Sequence, residues 1–461
     1  MQRALYSAAT WLAQPLVRLR LARRARLEPG YGEAVGERFG QYARPALAGV
    51  RPLWIHAVSL GEARAAGVLL EALRARMPEL RVLLTHGTAT GRAEGERWLR
   101  EGDQQAWLPW DTPQAVARFL DHFQPRMGVL METEVWPQLN AACLARGVPL
   151  VLANARLNER SYLRARKLGA LARQAYGGLT VALAQTVADA RRLAALGAHV
   201  GGIYGNLKFD ATPDEAQLEQ GRIWRRSLSR PVMLLASSRE GEESLFLREI
   251  PRYPSANRSV FAYKNEVSRS SSSAVGDSPD DAPADTTLCQ PMIVPRHPQR
   301  FDAVADLAAA QGWAVVRRSA WPHSGPPASD RLTRPTLWLG DTLGEMALYY
   351  GLADFALLGG SFEPLGGQNL IEAAACGCPV ILGPHTFNFA EAAEQAVAAG
   401  AARRVADMSQ ALVVARQWLD DPAQRDAAAR AALAFAAAHR GATERTARAI
   451  EALWAKVSSA A

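Results

Sequence analysis

Short apolar runs alternate with longer stretches of helical periodicity along most of this chain. The run 53–58 predicts a strand, and Ala65, Leu69 and Leu73 then recur at the spacing of one helix face. Further strands, each followed by a helical pattern, are predicted at 81–85, 127–131, 149–153 and 181–184. Such alternation indicates a parallel sheet with helices on both faces, because parallel strands need a crossover connection.

The alternation stops near residue 210 and begins again with a strand at 232–236. Later strands are predicted at 292–294, 314–317, 336–339, 355–358 and 380–382. At 461 residues the chain is also longer than one hydrophobic core usually supports. We therefore expect two α/β domains, a first over 29–209 and a second over 210–461. Ligands of such sheets bind beyond the carboxyl ends of the strands, which predicts a site in a cleft between the domains.

The positive charge is concentrated at one end of the chain. Residues 1–26 hold six arginines and no acid, so they account for six of the net charges of +8. The near-neutral remainder gives no support for nucleic-acid binding.

Residues 1–28 are predicted to form a basic amphipathic helix that lies on an anionic lipid surface. The 14 uncharged residues 4–17 fall short of the ~18–20 that cross a bilayer. The apolar face of this helix consists of Leu5, Ala9, Leu12, Leu16 and Leu19. A short tilted signal anchor and a helix docked on the protein itself are the alternatives.

Residues 251–290 interrupt the second domain. They are rich in Ser, Pro, Asp and Arg, which predicts a disordered loop that is long for a compact domain. A true insertion and a sequence artefact are both open.

The cysteines and histidines do not indicate a metal site. The four cysteines are Cys143, Cys289, Cys376 and Cys378. They lack paired metal-ligand spacing, and no His/Asp cluster stands out, so we expect no metal and a reducing cytoplasm.

Three motifs of the first half place charged side chains at predicted strand ends. Glu62 in HAVSLGE begins a helix, where a carboxylate can accept a proton from a hydroxyl or simply interact with the helix dipole. Glu132 in METEVWP follows another strand, and Glu134 opens the next helix. Lys208 in GNLKFD can stabilise phosphate or carboxylate charge, or it is an ordinary solvated lysine.

Three motifs of the second half suit a nucleotide. Arg296 in PRHPQRF follows a strand and opens a helix, a recurrent arrangement for binding phosphate. Gly344 in GDTLGE allows the backbone to approach a ligand closely. The glycine-rich loop that leads to Glu372 offers amides for phosphate and a carboxylate for ribose hydroxyls, although glycine loops alone are weak signals.

Taken in order, these segments resemble the Kdo (3-deoxy-D-manno-octulosonic acid) transferase family. The resemblance covers nearly the whole chain apart from 251–290. It is carried by HAVSLGE, LPWDTP, METEVWP, ANARLNERS, GNLKFD, VPRHPQRF, GDTLGE, GGSFEPLGGQNLIEAAA and GPHTFNF. Gln368 and Arg239 stand where many members have histidine.

The resemblance implies a GT-B fold of two Rossmann-like domains, with no metal and no cofactor. The implied activity is an inverting transfer of Kdo from CMP-Kdo to the 6′-hydroxyl of lipid IVA, the lipid A precursor. The implied location is the cytoplasmic face of the inner membrane of a Gram-negative cell, where lipopolysaccharide is made and anionic lipids are available as partners.

The resemblance also assigns roles to individual residues. Glu62 matches the catalytic base of the family, and Glu132 and Lys208 match positions thought to stabilise the transition state. The positions that match CMP-Kdo-binding residues are Pro295, Arg296, Leu343, Gly344, Glu345, Asn369, Leu370, Ile371 and Glu372.

Two other classes of function remain as alternatives. A GT-B sugar-nucleotide epimerase would share the fold and the nucleotide loop but would need no basic N-terminal helix. A non-catalytic nucleotide-binding scaffold would keep the loop and could dispense with Glu62.

Overall fold

The computed structural model describes residues 2–45, 49–210, 212–250, 289–327 and 335–459. The chain forms two compact units, Met1–Ala211 with His439–Ala461, and Thr212–Ala438. The segment 251–290, predicted as a disordered loop, lies outside the described residues except for its last two. Of these two, Gln290 begins a strand.

The first unit contains a parallel sheet of seven strands. The strands are β1 Leu53–His56, β2 Val82–His86, β3 Gln104–Trp107, β4 Met127–Met131, β5 Leu150–Ala155, β6 Val181–Ala184 and β7 Val200–Ile203. Their order is β3-β2-β1-β4-β5-β6-β7. The order reverses between β1 and β4, where Ile55 lies beside Val129 in register.

Helices cover both faces of this sheet. They are α1 Gln2–Leu12, α2 Gln14–Ala25, α3 Leu60–Arg76, α4 Ala89–Glu96, α5 Pro113–Phe123, α6 Pro137–Ala145, α7 Glu159–Lys167, α8 Ala170–Gly177 and α9 Val187–Ala195. Trp54 of β1 packs with Phe119 on one face, whereas Ile55 packs with Leu69 on the other. Because neighbouring strand residues point to opposite faces, β1 contributes to two apolar layers.

Capping side chains define where several of these helices begin. In each case a hydroxyl or amide oxygen accepts a hydrogen bond from an amide in the first turn of the helix. The capping residues of α3, α4, α5, α7 and α9 are Ser59, Thr88, Thr112, Asn158 and Thr186.

The second unit repeats the architecture with another seven-stranded parallel sheet. Its strands are β8 Val232–Ser238, β9 Gln290–Pro295, β10 Ala314–Arg317, β11 Thr336–Leu339, β12 Phe355–Leu358, β13 Val380–Leu382 and β14 Ala402–Arg404. The order is β10-β11-β9-β8-β12-β13-β14, so it reverses between β8 and β12. Its helices are α10 Glu215–Arg226, α11 Glu242–Glu249, α12 Phe301–Ala310, α13 Met346–Leu352, α14 Leu370–Ala375, α15 Ala390–Ala398, α16 Met408–Asp420 and α17 Pro422–Ala438.

The last helix, α18 Ala442–Ser459, belongs to the first unit. The sequence predicts that all of 210–461 belongs to the second domain, whereas α18 packs on the first unit. Ile450 of α18 is fully buried in the same apolar cluster as Leu69 of α3. Arg76 of α3 also pairs with Glu444 at 2.8 Å and with Glu451 at 2.6 Å.

Candidate active site

Glu62 lies just beyond the carboxyl end of β1, in the first turn of α3. Its Oε2 accepts a hydrogen bond from the Val58 amide at 2.8 Å, and its Oε1 accepts one from Ser59 Oγ at 3.0 Å. Ser59 Oγ in turn accepts from the Glu62 amide at 3.4 Å. This reciprocal capping box holds the carboxylate in one orientation at the helix start.

The environment of Glu62 makes its carboxyl group easier to protonate. Burial raises its pKa to about 7, and the negative charge of Glu132 adds to the effect. The hydrogen bonds from Val58 and Ser59 act in the opposite direction. A carboxylate with a pKa near neutrality can both accept and release a proton under cellular conditions.

Glu132 follows β4, the strand beside β1 at the reversal of strand order. Its φ of 59° is left-handed, which is uncommon for a residue other than glycine. The backbone is held there because the Glu132 amide donates to Ala153 O at 3.0 Å and its carbonyl accepts from the Arg156 amide at 3.1 Å. Such strain concentrates at functional sites.

Lys208 reaches Glu132 from a distant part of the sequence. Lys208 Nζ lies 2.9 Å from Glu132 Oε1, and both side chains are mostly shielded from solvent. The short 3-10 turn Leu207–Asp210 positions the lysine, because the Leu207 amide donates to Asn154 Oδ1 at 3.1 Å. The structure thus brings Glu132 and Lys208 together, and the charge of Glu132 acts on Glu62.

Two histidines behind this edge of the sheet do not carry protons near neutral pH. Burial lowers the pKa of His56 to about 3 and that of His86 to about 4. His56 Nδ1 is hydrogen-bonded to Thr85 Oγ1 at 2.9 Å, and His86 Nδ1 to Ala57 O at 2.9 Å. Glu62 is therefore the better candidate for a base at this edge.

In the second unit, a buried carboxylate fixes the glycine-rich loop. Glu242 is fully buried and accepts hydrogen bonds from the amides of Arg239 at 2.9 Å, Gly360 at 2.7 Å and Phe362 at 3.0 Å. Gly359 packs so closely on β8 that a Cβ atom would lie 2.3 Å from Ser237 O. These contacts join the loop after β12 to the turn after β8. The two strands are neighbours at the point where the strand order reverses.

Arg296 lies beside this loop. Its amide donates to Ser238 O at 3.0 Å, and its Nε donates to Gln368 Oε1 at 3.2 Å. Partial burial lowers the pKa of His297, and the charges of Arg239 and Arg296 lower it further. Arg239 and Arg296 thus place positive charge beside the carboxyl ends of β8 and β9, while Glu240 acts on His297 in the opposite direction.

The GDTLGE segment lies on the same sheet edge because β11 pairs with β9. Gly344 has a φ of 80°, and its carbonyl accepts a hydrogen bond from Gln217 Nε2 at 3.0 Å. Leu343 is exposed, whereas Glu345 pairs with Arg318 at 2.9 Å.

The side chains of some predicted ligand-binding residues point into the protein. Leu370 and Ile371 are fully buried, and Pro295 is buried at the end of β9. The Asn369 side chain accepts a hydrogen bond from the Ile371 amide at 3.2 Å, while Glu372 is partly exposed. Because the side chains of Leu370, Ile371 and Pro295 are buried, these residues can face a ligand only with backbone atoms.

No group of three or more His, Cys, Asp or Glu side chains that could hold a metal ion occurs within the described ranges. The residues missed by the sequence analysis are Glu242, which has no motif of its own, and Ser59, whose S-x-x-E spacing to Glu62 is a recognisable capping-box signal.

The N-terminal helices are attached to the first unit along one side. The Tyr6 hydroxyl is hydrogen-bonded to Asp111, and Gln138 Nε2 donates to Arg3 O at 3.2 Å. The Trp110 indole donates to Thr10 O at 2.9 Å. The predicted apolar face of Leu5, Ala9, Leu12, Leu16 and Leu19 is exposed throughout. Across the described ranges, every helix is too short or too polar to span a bilayer.

The chain is similar over most of its length to several known proteins. A family described as "3-Deoxy-D-manno-octulosonic-acid transferase (kdotransferase)" matches residues 33–211. The 3-deoxy-D-manno-octulosonic acid transferase of Bordetella pertussis is 47% identical over 458 residues, which cover 98% of this chain and 99% of that protein. The transferase of the same name from Haemophilus influenzae is 31% identical over 398 residues, 85% of this chain and 84% of that protein.

A solved structure shares the fold at low sequence identity. UDP-GlcNAc 2-epimerase from Neisseria meningitidis, bound to UDP-GlcNAc, matches with a TM-score of 0.53 and 15% identity, over 88% of this chain and 99% of that one. This likeness, together with the two parallel seven-stranded sheets, confirms the predicted GT-B class of two Rossmann-like units.

Proposed function

The chain belongs to the Kdo transferase family, and we propose that it transfers Kdo from CMP-Kdo to the 6′-hydroxyl of lipid IVA in lipopolysaccharide biosynthesis. The observation that carries this proposal is the group formed by Glu62, Glu132 and Lys208 at the reversal of the first sheet. Ligands of parallel sheets bind at this position.

Glu62 is proposed as the general base. It takes the proton of the acceptor hydroxyl as the oxygen forms a bond to the anomeric carbon of Kdo. The bond from that carbon to the phosphate oxygen breaks, and CMP leaves with the electron pair. A pKa of about 7 suits this role, because the base is then ionised near neutral pH and still binds a proton well.

Lys208 and Glu132 are proposed to set the charge around the base. The lysine offers a cation to the carboxylate of Kdo or to the leaving phosphate, and charge stabilisation of this kind is a large term in group transfer. Glu132 holds the lysine at 2.9 Å and at the same time raises the pKa of Glu62.

The second unit is proposed to bind CMP-Kdo. Arg296 would pair with phosphate oxygens through its planar guanidinium. The backbone at Leu343, Gly344, Leu370 and Ile371, with the side chains of Glu345, Asn369 and Glu372, would surround the nucleotide. The hydrogen bonds from Arg239, Gly360 and Phe362 to Glu242 support this assignment, because they hold the loop in one shape before a ligand arrives.

The acceptor is a lipid, so the proposed place of action is the cytoplasmic face of the inner membrane. The exposed leucines of α1 and α2 and the nearby arginines support peripheral binding to anionic lipids there.

Incubation with CMP-Kdo and lipid IVA, followed by mass spectrometry, tests the proposal. We expect one or more Kdo-sized additions, and their number gives the extent of transfer. Glu62→Ala should abolish the additions while calorimetric binding of CMP-Kdo persists, and Glu71→Ala on the exposed side of α3 is the matched control. No addition by the wild-type chain would overturn the function, and turnover by the Glu62→Ala chain would remove this residue from the role of base.

A further inference from the structure

Helix α7, like α1, buries none of its side chains. Tyr162 and Ala165 on its inner side contact the apolar core only partly. Its outer face carries alternating leucines and cations at helical spacing. These exposed residues are Arg160, Leu163, Arg164, Lys167 and, just past the helix end, Leu168.

The charge of this face is strongly positive. The acid of the helix, Glu159, pairs with Arg192 at 2.8 Å. Within the ranges that the structure describes, Arg160, Arg164 and Lys167 form no ion pair with an acid. Leu163 and Leu168, which lie among these cations, are 45% and 55% exposed.

The start of α1 lies beside the turn that joins α7 to α8 and beside the first turn of α8. Gln2 Oε1, at the start of α1, accepts a hydrogen bond from the Leu171 amide at 3.0 Å, directly after the turn that ends α7. Leu5 and Leu12 of α1 are 65% and 67% exposed. Both α1 and α7 thus expose leucines on the first unit, and the start of α1 is near the C-terminal end of α7.

We infer that α7 is a second lipid-contacting element, which docks with α1 on an anionic bilayer. The inference rests on the proposed function only for its membrane setting. A helix with leucines between cations can bind at the interface between lipid headgroups and acyl chains. There the lipid phosphates attract the cations, and the leucines are buried away from water. A protein partner would instead have to supply an acid for each of these cations.

The position of α7 gives this contact a consequence for the reaction. The helix follows β5, and β5 is the neighbour of β4, whose end carries Glu132. Docking through α7 therefore brings the catalytic edge of the first sheet to the level of the lipid headgroups. An acceptor embedded in the bilayer by its acyl chains would present its sugar at that level.

Vesicle sedimentation of the full chain tests the inference. The vesicles are phosphatidylcholine, alone or mixed with phosphatidylglycerol. Arg164→Gln/Lys167→Gln should lower binding to the anionic vesicles by roughly tenfold or more, and added salt should weaken wild-type binding. Leu163→Ser/Leu168→Ser should also weaken binding. These side chains are exposed, so all variants should keep the wild-type thermal unfolding.

The matched control is Arg97→Gln/Arg100→Gln, which removes two exposed cations near the β3 edge of the same unit. Its binding should equal that of the wild type. Equal binding by the α7 variants, or no binding by the wild-type chain, would overturn the inference and leave a protein partner as the occupant. Kdo transfer to an acceptor dispersed in detergent is measured separately, because this assay needs no vesicle binding. If the wild-type chain shows no transfer in it, the result counts against the proposed function and not against the role of α7.

Discussion

Replacing Glu62 by glutamine should make the first unit more stable at alkaline pH while stopping transfer. Burial and the charge of Glu132 raise the pKa of Glu62 from 4.5 to about 7 in the folded chain. The folded state therefore binds the proton more tightly than the unfolded state does. The stability that this proton supplies is fully present below the unfolded pKa and is lost as the pH rises through the folded pKa.

The size of the effect follows from the shift. A pKa shift changes the free energy of unfolding by about 1.4 kcal/mol per unit. The raised pKa of Glu62 therefore lowers the free energy of unfolding by ~3 kcal/mol at about pH 8 and by under ~1 kcal/mol at about pH 5. Glutamine is neutral at both values but loses one of the hydrogen bonds from Val58 and Ser59, which costs ~1 kcal/mol. Glu62→Gln should thus stabilise by ~2 kcal/mol at about pH 8 and by almost nothing at about pH 5.

Hydrogen exchange in increasing urea provides the assay, because peptides from β1 and α3 report on the first unit alone. Glu71→Gln on the exposed side of α3 serves as control, and its effect should stay within ~0.5 kcal/mol at both pH values. If Glu62→Gln changes the free energy of unfolding equally at both pH values, burial does not raise the pKa of the Glu62 carboxyl group. The argument for a base poised near neutrality would then fail.

Three further predictions concern other contacts. The value of kcat/KM should fall about tenfold per pH unit below about pH 7, where Glu62 is protonated. Glu132→Gln removes a negative charge near Glu62, so it should shift this acidic limb of the pH–rate profile to lower pH. A profile that does not shift would contradict the predicted effect of Glu132. Glu242→Gln should cost about 2–3 kcal/mol in urea unfolding and weaken CMP-Kdo binding in calorimetry, because an amide group would face a backbone N–H donor. Tyr6→Phe should cost about 1–2 kcal/mol by leaving buried Asp111 without the Tyr6 hydroxyl; an unchanged melting temperature would show that α1 is not anchored there.

Sequence periodicity predicts every interior strand of the two described sheets, but of their edge strands it predicts only β10. The strands 127–131 and 181–184 agree with β4 and β6 to the residue. The unpredicted strands β3, β7 and β14 all lie at a sheet edge. An edge strand is paired on one side and partly exposed, as β7 shows, so it needs no continuous apolar run and can lack a clear pattern.

The candidate site shows the same limit at the level of side chains. The spacing of Ser59 and Glu62 is local, and a capping box can be recognised without a fold. The contact of Lys208 with Glu132 joins residues far apart in the chain, so it depends on the order of strands. The hydrogen bonds of Glu242 to the loop after β12 depend on that order too. The motif resemblance suggested roles for Lys208 and Glu132. Nothing in the local sequence distinguishes Glu242 from any other acid that begins a helix.

The return of helix α18 to the first unit has a consequence for how the protein is made. More than two hundred residues of the second unit separate α18 from the rest of the unit that it completes. At ~5–20 residues per second, the ribosome needs roughly 10–50 s to translate them. During that time the surface of α3 that Ala447 and Ile450 later cover is exposed, whereas the second unit emerges as one continuous segment. A nascent chain should therefore depend on chaperones mainly through its earlier half, and a stop codon before α18 should harm that half first.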